Sequence, residues 1–333
     1  MPDPRFLVVR LGALGDIVHA LPAVSGLRRS FPHAEIVWLT HPKWESLVAS
    51  SGLASQIWTV DTRDISSLRS ILKRIRRHRF DAAIDYQGLW KSASLPFLAR
   101  VPRRIGFSSH TVREAGVPLL YTDRVRVNAA AHVTDQNAEL SVRAGAHIPT
   151  SDAPLRVAES DVAAVRRRLA AADIQRYIVL SPGGGWRSKC WPAERYGALA
   201  AKIAEEFGLR SVINSGPGEE ALSAQVIAAA GDATPIAFAG TLGELMALLR
   251  GADAVVAGDT GPLHLADALG ARVVAIFGPT DPGRNGPYRR RGPVLRWENA
   301  QTTYKRGDAP DESLLHISAE DVQAALRGLR AVA

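Results

Sequence analysis

AVVAGDTGPLHLADALGARVVAIFGPTD, residues 254–281, is the stretch on which the fold turns. It begins with the apolar run AVVAG, passes through Gly258-Asp259-Thr260-Gly261, continues as a helix and ends on a second apolar run, VVAIF. Neither run alternates polar with apolar residues, so each predicts a strand covered on both faces. A helix between two such strands makes them parallel. The same unit repeats along the chain. YIVLS (177–181), SVIN (211–214) and PIAF (235–238) precede it, each leading into a glycine-bearing turn and a helical stretch. Nearer the start, FLVVR (6–10), EIVWLT (35–40), QIWTVD (56–61) and AAID (82–85) keep the same rhythm, separated by stretches such as SLRSILKRIRRHR. The chain therefore reads as α/β, with two doubly wound Rossmann-like domains.

The rhythm breaks at PTSDAPLRV (149–157), which is polar, proline-bearing and without period, and so predicts a linker. The expected organisation is a first domain over 1–157, a second over 158–316, and a terminal helix over 317–333 that is free to pack back on the first domain. That helix carries a serine cap and amphipathic spacing in SAEDVQAALRGLRAV. The 333 residues are 46% hydrophobic and 22% charged, the balance of a globular protein. One cysteine, Cys190, excludes an intrachain disulfide and a cysteine-built metal site, and fits a reducing cytoplasm. The N-terminal MPDPRFLVVRLGALGD runs from a short apolar stretch into a glycine turn, which is not the pattern of a signal peptide. No apolar run reaches the roughly 18 residues of a membrane span. The net charge of +8 favours an anionic partner, whether nucleic acid, an anionic membrane face or a phosphorylated substrate.

Four turns carry chemistry. Gly12-Ala13-Leu14-Gly15-Asp16 joins the first strand to a helix, where a carboxylate serves as a cap or as a reacting group. Ser181-Pro182-Gly183-Gly184-Gly185 leaves free amides at a strand end, and Lys189 follows as a mobile cation suited to a diphosphate. Gly216-Pro217-Gly218-Glu219-Glu220 places a carboxylate where other nucleotide folds bind ribose, unless it only complements the helix start. Gly258-Asp259-Thr260-Gly261 opens a helix with amides suited to an anion, and His264 follows one turn on, as ligand or as packing. In an open parallel sheet, ligands bind beyond the carboxyl ends of the strands. Three such ends in one domain therefore predict a nucleotide site there.

These residues resemble the family 9 glycosyltransferases, the lipopolysaccharide heptosyltransferases. The matching segments are GALGDIVHALPA (12–23), FDAAIDYQGLWKSA (80–93), TVREAGVPLLY (111–121), Lys189-Cys190-Trp191-Pro192, the GPGE turn, GDTGPLHLADALG (258–270) and FGPTDPGRNGPY (277–288). The segments at 277–288 and 84–93 look most like the heptosyltransferase I branch. The resemblance implies a GT-B fold, with the two domains facing a central cleft, and an inverting, metal-independent transfer of heptose from ADP-L-glycero-D-manno-heptose to the Kdo region of lipid A. It implies that Asp16 is the general base, that Lys189 binds the diphosphate, Glu219 the ribose and Asp259 the heptose, and that Thr260, Gly261 and His264 line the phosphates. Acceptor contacts are expected from Gly15, Lys91, Arg104, Arg113 and Gln136.

Two positions depart from the family pattern. Gly184 and Gly185 stand where threonines are found in a relative, so amides must replace hydroxyls as phosphate donors. Gln136 stands where an acceptor-binding arginine is expected. No paired DxD carboxylates close a strand, and no cofactor is implied beyond the ADP-sugar substrate. The basic run Lys73-Arg74-Ile75-Arg76-Arg77-His78-Arg79 is a solvated helix face or a contact for anionic lipid or acceptor phosphates. Trp186 and Trp191 read as loop anchors. The expected location is cytoplasmic, peripheral at the inner membrane. Rival readings are heptosyltransferase II, a relative using another nucleotide sugar, a nucleotide-sugar epimerase, and a non-catalytic binding module. Nucleic acid is disfavoured, because aromatics are only 6% of residues and do not interleave with the basic run.

Overall fold

The apolar runs form parallel strands in a computed structural model that describes residues 3–112, 114–148, 152–289 and 292–331. The chain divides into two units, Met1–Arg156 and Val157–Ala333. In the first, β1 (Arg5–Val9), β2 (Glu35–Thr40), β3 (Gln56–Thr59), β4 (Ala82–Asp85), β5 (Arg103–Phe107) and β6 (Asp123–Val125) form one sheet in the order β3-β2-β1-β4-β5-β6. In the second, β7 (Tyr177–Ser181), β8 (Arg210–Asn214), β9 (Ile236–Phe238), β10 (Ala254–Gly258), β11 (Val273–Phe277) and β12 (Val294–Arg296) take the order β12-β11-β10-β7-β8-β9. Every pairing is parallel. The α/β reading therefore holds in both units, each a doubly wound sheet of the GT-B type.

Three strands were not legible as apolar runs. β5 opens on two arginines, while β6 and β12 are three-residue strands at sheet edges, so none presents a continuous apolar signature. The central strands β7, β10 and β11 are buried along their whole length. The terminal helix Ala319–Ala331 packs on helix Ala193–Phe207 of the second unit: Val322 and Leu326 enter that unit's core, and Arg327 pairs with Glu206.

Winding fixes where chemistry collects. In the first sheet the chain runs outward from β1 to β3 and then returns to β4 on the other side of β1. In the second it runs from β7 to β9 and returns to β10 on the other side of β7. Each reversal opens a crevice at the carboxyl ends of two neighbouring central strands, where the crossover helices diverge. Register sets the ends level: Val9 pairs with Asp85, and Ser181 with Ala257.

The crevice loops of the first unit are fixed by a buried carboxylate. Asp85, at the end of β4, accepts hydrogen bonds from the Tyr121 hydroxyl at 2.7 Å, from Ser92 Oγ at 2.9 Å, and from the amides of Gln87 and Gly88 at 2.9 and 3.3 Å. Burial raises the pKa of this carboxyl, and these donors act against the rise. Gln87 then reaches across to β1, its Oε1 accepting from the Leu11 amide at 2.8 Å. Tyr121 reaches Asp85 only because position 106 is glycine: a Cβ there would lie 2.3–2.6 Å from the phenol ring. Gly106→Ala must displace that ring and strain the network, an overpacking defect worth about 1–3 kcal/mol. A correspondingly lower urea midpoint with an unchanged slope is the expected outcome, and an unaltered midpoint shows that the ring has room to move.

Candidate functional site

In the second unit the site begins where β10 runs out of buried apolar residues. Gly258 closes the strand, and the Lys189 carbonyl passes 3.0 Å from where a Cβ would stand there. This close approach brings the turn that carries Lys189 onto the end of β10. Asp259, 7% exposed, accepts from Lys189 Nζ at 2.6 Å and lies 3.2 Å from His264 Nε2. Burial alone would push this carboxyl up. The hydrogen bond and charge of His264, with the charge and hydrogen bond of Lys189, outweigh burial and hold it well below the ordinary 3.8. The result is a buried anion flanked by a lysine and a histidine at the start of helix Gly261–Ala268. Thr260 is the cap residue of that helix, and its buried Oγ1 has no hydrogen-bond partner among the described residues.

The glycine loop after β7 joins this cluster to the loop after β8. At Gly183 a Cβ would overlap the Glu219 carboxylate, 2.0 Å from one of its oxygens. At Gly184 it would stand 2.9 Å from Cys190 Sγ and 3.3 Å from Thr260 Cγ2, while at Gly185 it would meet nothing within 4 Å. Gly183 is therefore what lets Glu219 approach, and Gly184 packs between the lysine turn and the helix cap. Glu219 also accepts from the Gly216 amide at 2.7 Å, which closes its own turn. The Cys190 thiol is pushed up by burial and by the Glu219 charge. Loops from three adjacent strands thus bring together Gly184, Lys189, Glu219, Asp259, Thr260, Gly261 and His264, with Gly185 on the open side of the same loop.

Arg306 escapes a reading based on strand-end turns. Lys189 Nζ lies 4.3 Å from the Trp186 ring centroid, and the Arg306 guanidinium lies 5.4 Å from it. The lysine turn is tied down by the same downstream segment: the Ser188 amide donates to the Gly307 carbonyl at 3.3 Å, and the Asp311 amide to the Ser188 carbonyl at 3.3 Å. Trp191 is a packing anchor, 1% exposed, with its indole N–H donating to the Ile317 carbonyl at 2.9 Å.

In the first unit, Asp16 lies in the first turn of helix Leu14–Ser30. Its Oδ2 accepts from the Ala13 amide at 3.0 Å, and its Oδ1 lies 2.7 Å from an Arg10 guanidinium nitrogen. The carboxylate is thus a helix cap. Its side chain is nevertheless 48% exposed, and each oxygen keeps a further lone pair. Arg10 is 7% exposed and donates as well to the Tyr86 carbonyl. The sequence offered a signal for it, since an arginine that closes an apolar strand needs a partner once buried. His19, three residues beyond Asp16, meets His132 edge-on at 5.3 Å, and neither was singled out.

The expected acceptor residues divide. Gly15 is buried in the first turn of the Asp16 helix, and Lys91 stands exposed on helix Trp90–Leu98. Arg104 spends its guanidinium on the carbonyls of Leu120 and Val101, at 2.7 and 2.6 Å. Gln136 is 2% exposed, and its amide nitrogen donates to the Ala131 and Ala129 carbonyls at 2.8 and 3.3 Å. In this geometry Arg104 and Gln136 are braces of backbone. Arg113 lies outside the described residues.

Known proteins resemble this chain in sequence and in fold. Residues 68–312 match the family model for glycosyltransferase family 9 (heptosyltransferase). The chain is similar to lipopolysaccharide heptosyltransferase 1 of Pseudomonas aeruginosa, with 30% identity over 298 residues covering 86% of this chain and 82% of that protein. Its fold is similar to Escherichia coli ADP-heptose lipopolysaccharide heptosyltransferase II, with TM-score 0.83, 21% identity, and 99% and 100% of the two chains covered. It is likewise similar to Escherichia coli heptosyltransferase WaaC solved with ADP-2-deoxy-2-fluoro heptose, with TM-score 0.75, 24% identity, and 99% and 100% covered.

The Asp259 pair makes a pH prediction. Because its folded-state pKa is depressed, ionised Asp259 contributes stability that is complete above the ordinary value of 3.8 and is lost as pH falls toward the folded value. In urea unfolding, the advantage of wild type over Asp259→Asn should shrink as pH falls below about 4. An advantage that persists undiminished through that range would contradict a carboxylate held ionised by Lys189 and His264.

Proposed function

Because this chain belongs to glycosyltransferase family 9, the heptosyltransferase family, we propose that it moves heptose from ADP-L-glycero-D-manno-heptose to the Kdo region of lipid A, with inversion and without a metal. The observation that carries this reading is the Asp259 carboxylate held between Lys189 and His264 beside the amides of Thr260 and Gly261. A nucleotide-diphosphate sugar needs cationic and N–H partners for its phosphates and an acceptor of hydrogen bonds for its sugar hydroxyls, and this cluster holds both.

In the proposed reaction Asp16 takes the proton of the acceptor hydroxyl as that oxygen attacks the anomeric carbon. The bond from that carbon to the ADP oxygen breaks, and heptose inverts as it moves. ADP leaves with more negative charge than it carried, met by Lys189 and by the amides of Gly184, Gly185, Thr260 and Gly261. Stabilising charge that develops only as the bond breaks is where binding energy becomes rate. Glu219 receives the ribose hydroxyls. Arg10 holds the Asp16 carboxylate in one orientation. The ADP-sugar is consumed as substrate, and no cofactor enters the scheme.

Among the described residues, no helix is long and apolar enough to cross a membrane. The chain is proposed to act at the cytoplasmic face of the inner membrane, drawn there by its net +8 charge.

The test follows ADP release from ADP-heptose in EDTA, with Kdo-bearing lipid A as acceptor. Asp16→Asn should lower kcat by about 10²–10⁴-fold while leaving ADP binding intact, and Lys189→Ala should weaken ADP binding. Wild type that binds ADP-heptose but transfers only to an acceptor already carrying a heptose sinks the acceptor assignment and leaves the donor standing. Failure to bind any ADP species removes the donor reading.

A further inference from the structure

We propose that the flank of the first unit built by helix Trp90–Leu98 and the turn Val117–Leu120 docks the protein on an anionic phospholipid bilayer. The inference deepens the glycolipid-acceptor reading by naming the surface that meets the lipid. Within the helix, Trp90, Phe97 and Leu98 share one face by helical spacing and are 48%, 42% and 48% exposed. Leu119 in the turn is 70% exposed, although its neighbours Val117 and Leu120 are buried with Ala93 of the helix. The two elements are stitched together. A Cβ on Gly116 would lie 3.0 Å from the Trp90 ring, and Arg104, which donates to the Leu120 carbonyl, stands 5.5 Å from the Phe97 centroid. Apolar side chains scattered singly over a surface are ordinary, but four on two joined elements mark an interaction face.

The rim identifies the occupant. Arg76, from the basic run, donates to the Leu98 carbonyl at 2.8 Å, Arg124 donates to the Pro118 carbonyl at 2.9 Å, and Lys91 stands exposed beside Trp90. Glu114 is also present at this face, where it accepts from the Trp90 amide at 2.6 Å. An indole, aliphatic tips and a cationic fringe are what an anionic interface takes: tryptophan at headgroup depth, leucine below it, guanidinium and ammonium on phosphate. A second copy of the chain would set a like-charged fringe against this one, which is why the bilayer is the partner argued here.

The test uses the full chain with neither donor nor acceptor present, so it stands or falls apart from the transfer reaction. Wild type should sediment with phosphatidylglycerol-containing vesicles and bind phosphatidylcholine vesicles at least tenfold more weakly, each cation contributing roughly fivefold. Vesicles of brominated lipid should quench its tryptophan fluorescence, and Trp90→Phe should remove most of that quenching. The pair Leu98→Ser with Leu119→Ser should weaken vesicle binding about tenfold or more, with an unchanged melting temperature and unchanged turnover on a deacylated, soluble acceptor. Vesicle binding by that pair at the wild-type level overturns the proposal. So does wild type that binds no vesicle, or a pair whose only change is loss of self-association in the ultracentrifuge.

Discussion

A parallel strand buried on both faces can hold charge only at its ends. That constraint organises this protein. With β7, β10 and β11 buried throughout, the ionisable groups of the second unit collect in the turns that follow the strands. Winding direction then decides which turns are neighbours. Because β7 lies between β10 and β8, a glycine loop, an acidic turn and an acidic helix start meet beyond one short stretch of sheet. The site is a consequence of strand order before it is a consequence of any single residue.

The two units meet the constraint with different chemistry. At the end of β10, a buried carboxylate is flanked by a lysine and a histidine and held below its ordinary pKa. At the end of β4, Asp85 has hydrogen-bond donors in place of a cation, and burial moves its pKa the other way. The first arrangement gathers ionisable side chains at a strand end. The second holds backbone, with Tyr121, Ser92 and two amides spent on fixing the loop that braces β1. Asp16 stands between these extremes, capped and paired yet half open to solvent.

Much of this could be read from the chain before any coordinates. Unbroken apolar runs report double-sided burial directly, so the central strands and the turns after them were visible, and with them Lys189, Glu219, Asp259 and His264. Short edge strands bearing arginine gave no such report. Side-chain commitment was also hidden: nothing in the sequence says that Arg104 spends its guanidinium on Leu120 and Val101, or that Gln136 ties down the carbonyls of residues 129 and 131. The bonds to Val101, Ala129 and Ala131 depend on local loop conformation that no periodicity reports, and the bond to Leu120 on a proximity that is a tertiary fact. Arg306 was invisible for the same reason, since only folding brings the segment after Trp297 against Trp186.

The contact between Gly183 and Glu219 constrains how this family member can change. The carboxylate fills the space where a side chain at 183 would begin, so the two positions are not independent sites of variation. A lineage that enlarges residue 183 first must pass through a displaced carboxylate. One that shortens residue 219 first opens the space at once, at the cost of whatever that carboxylate binds. The two positions thus share one volume, which the flexible end of the Glu219 side chain must yield before residue 183 can grow.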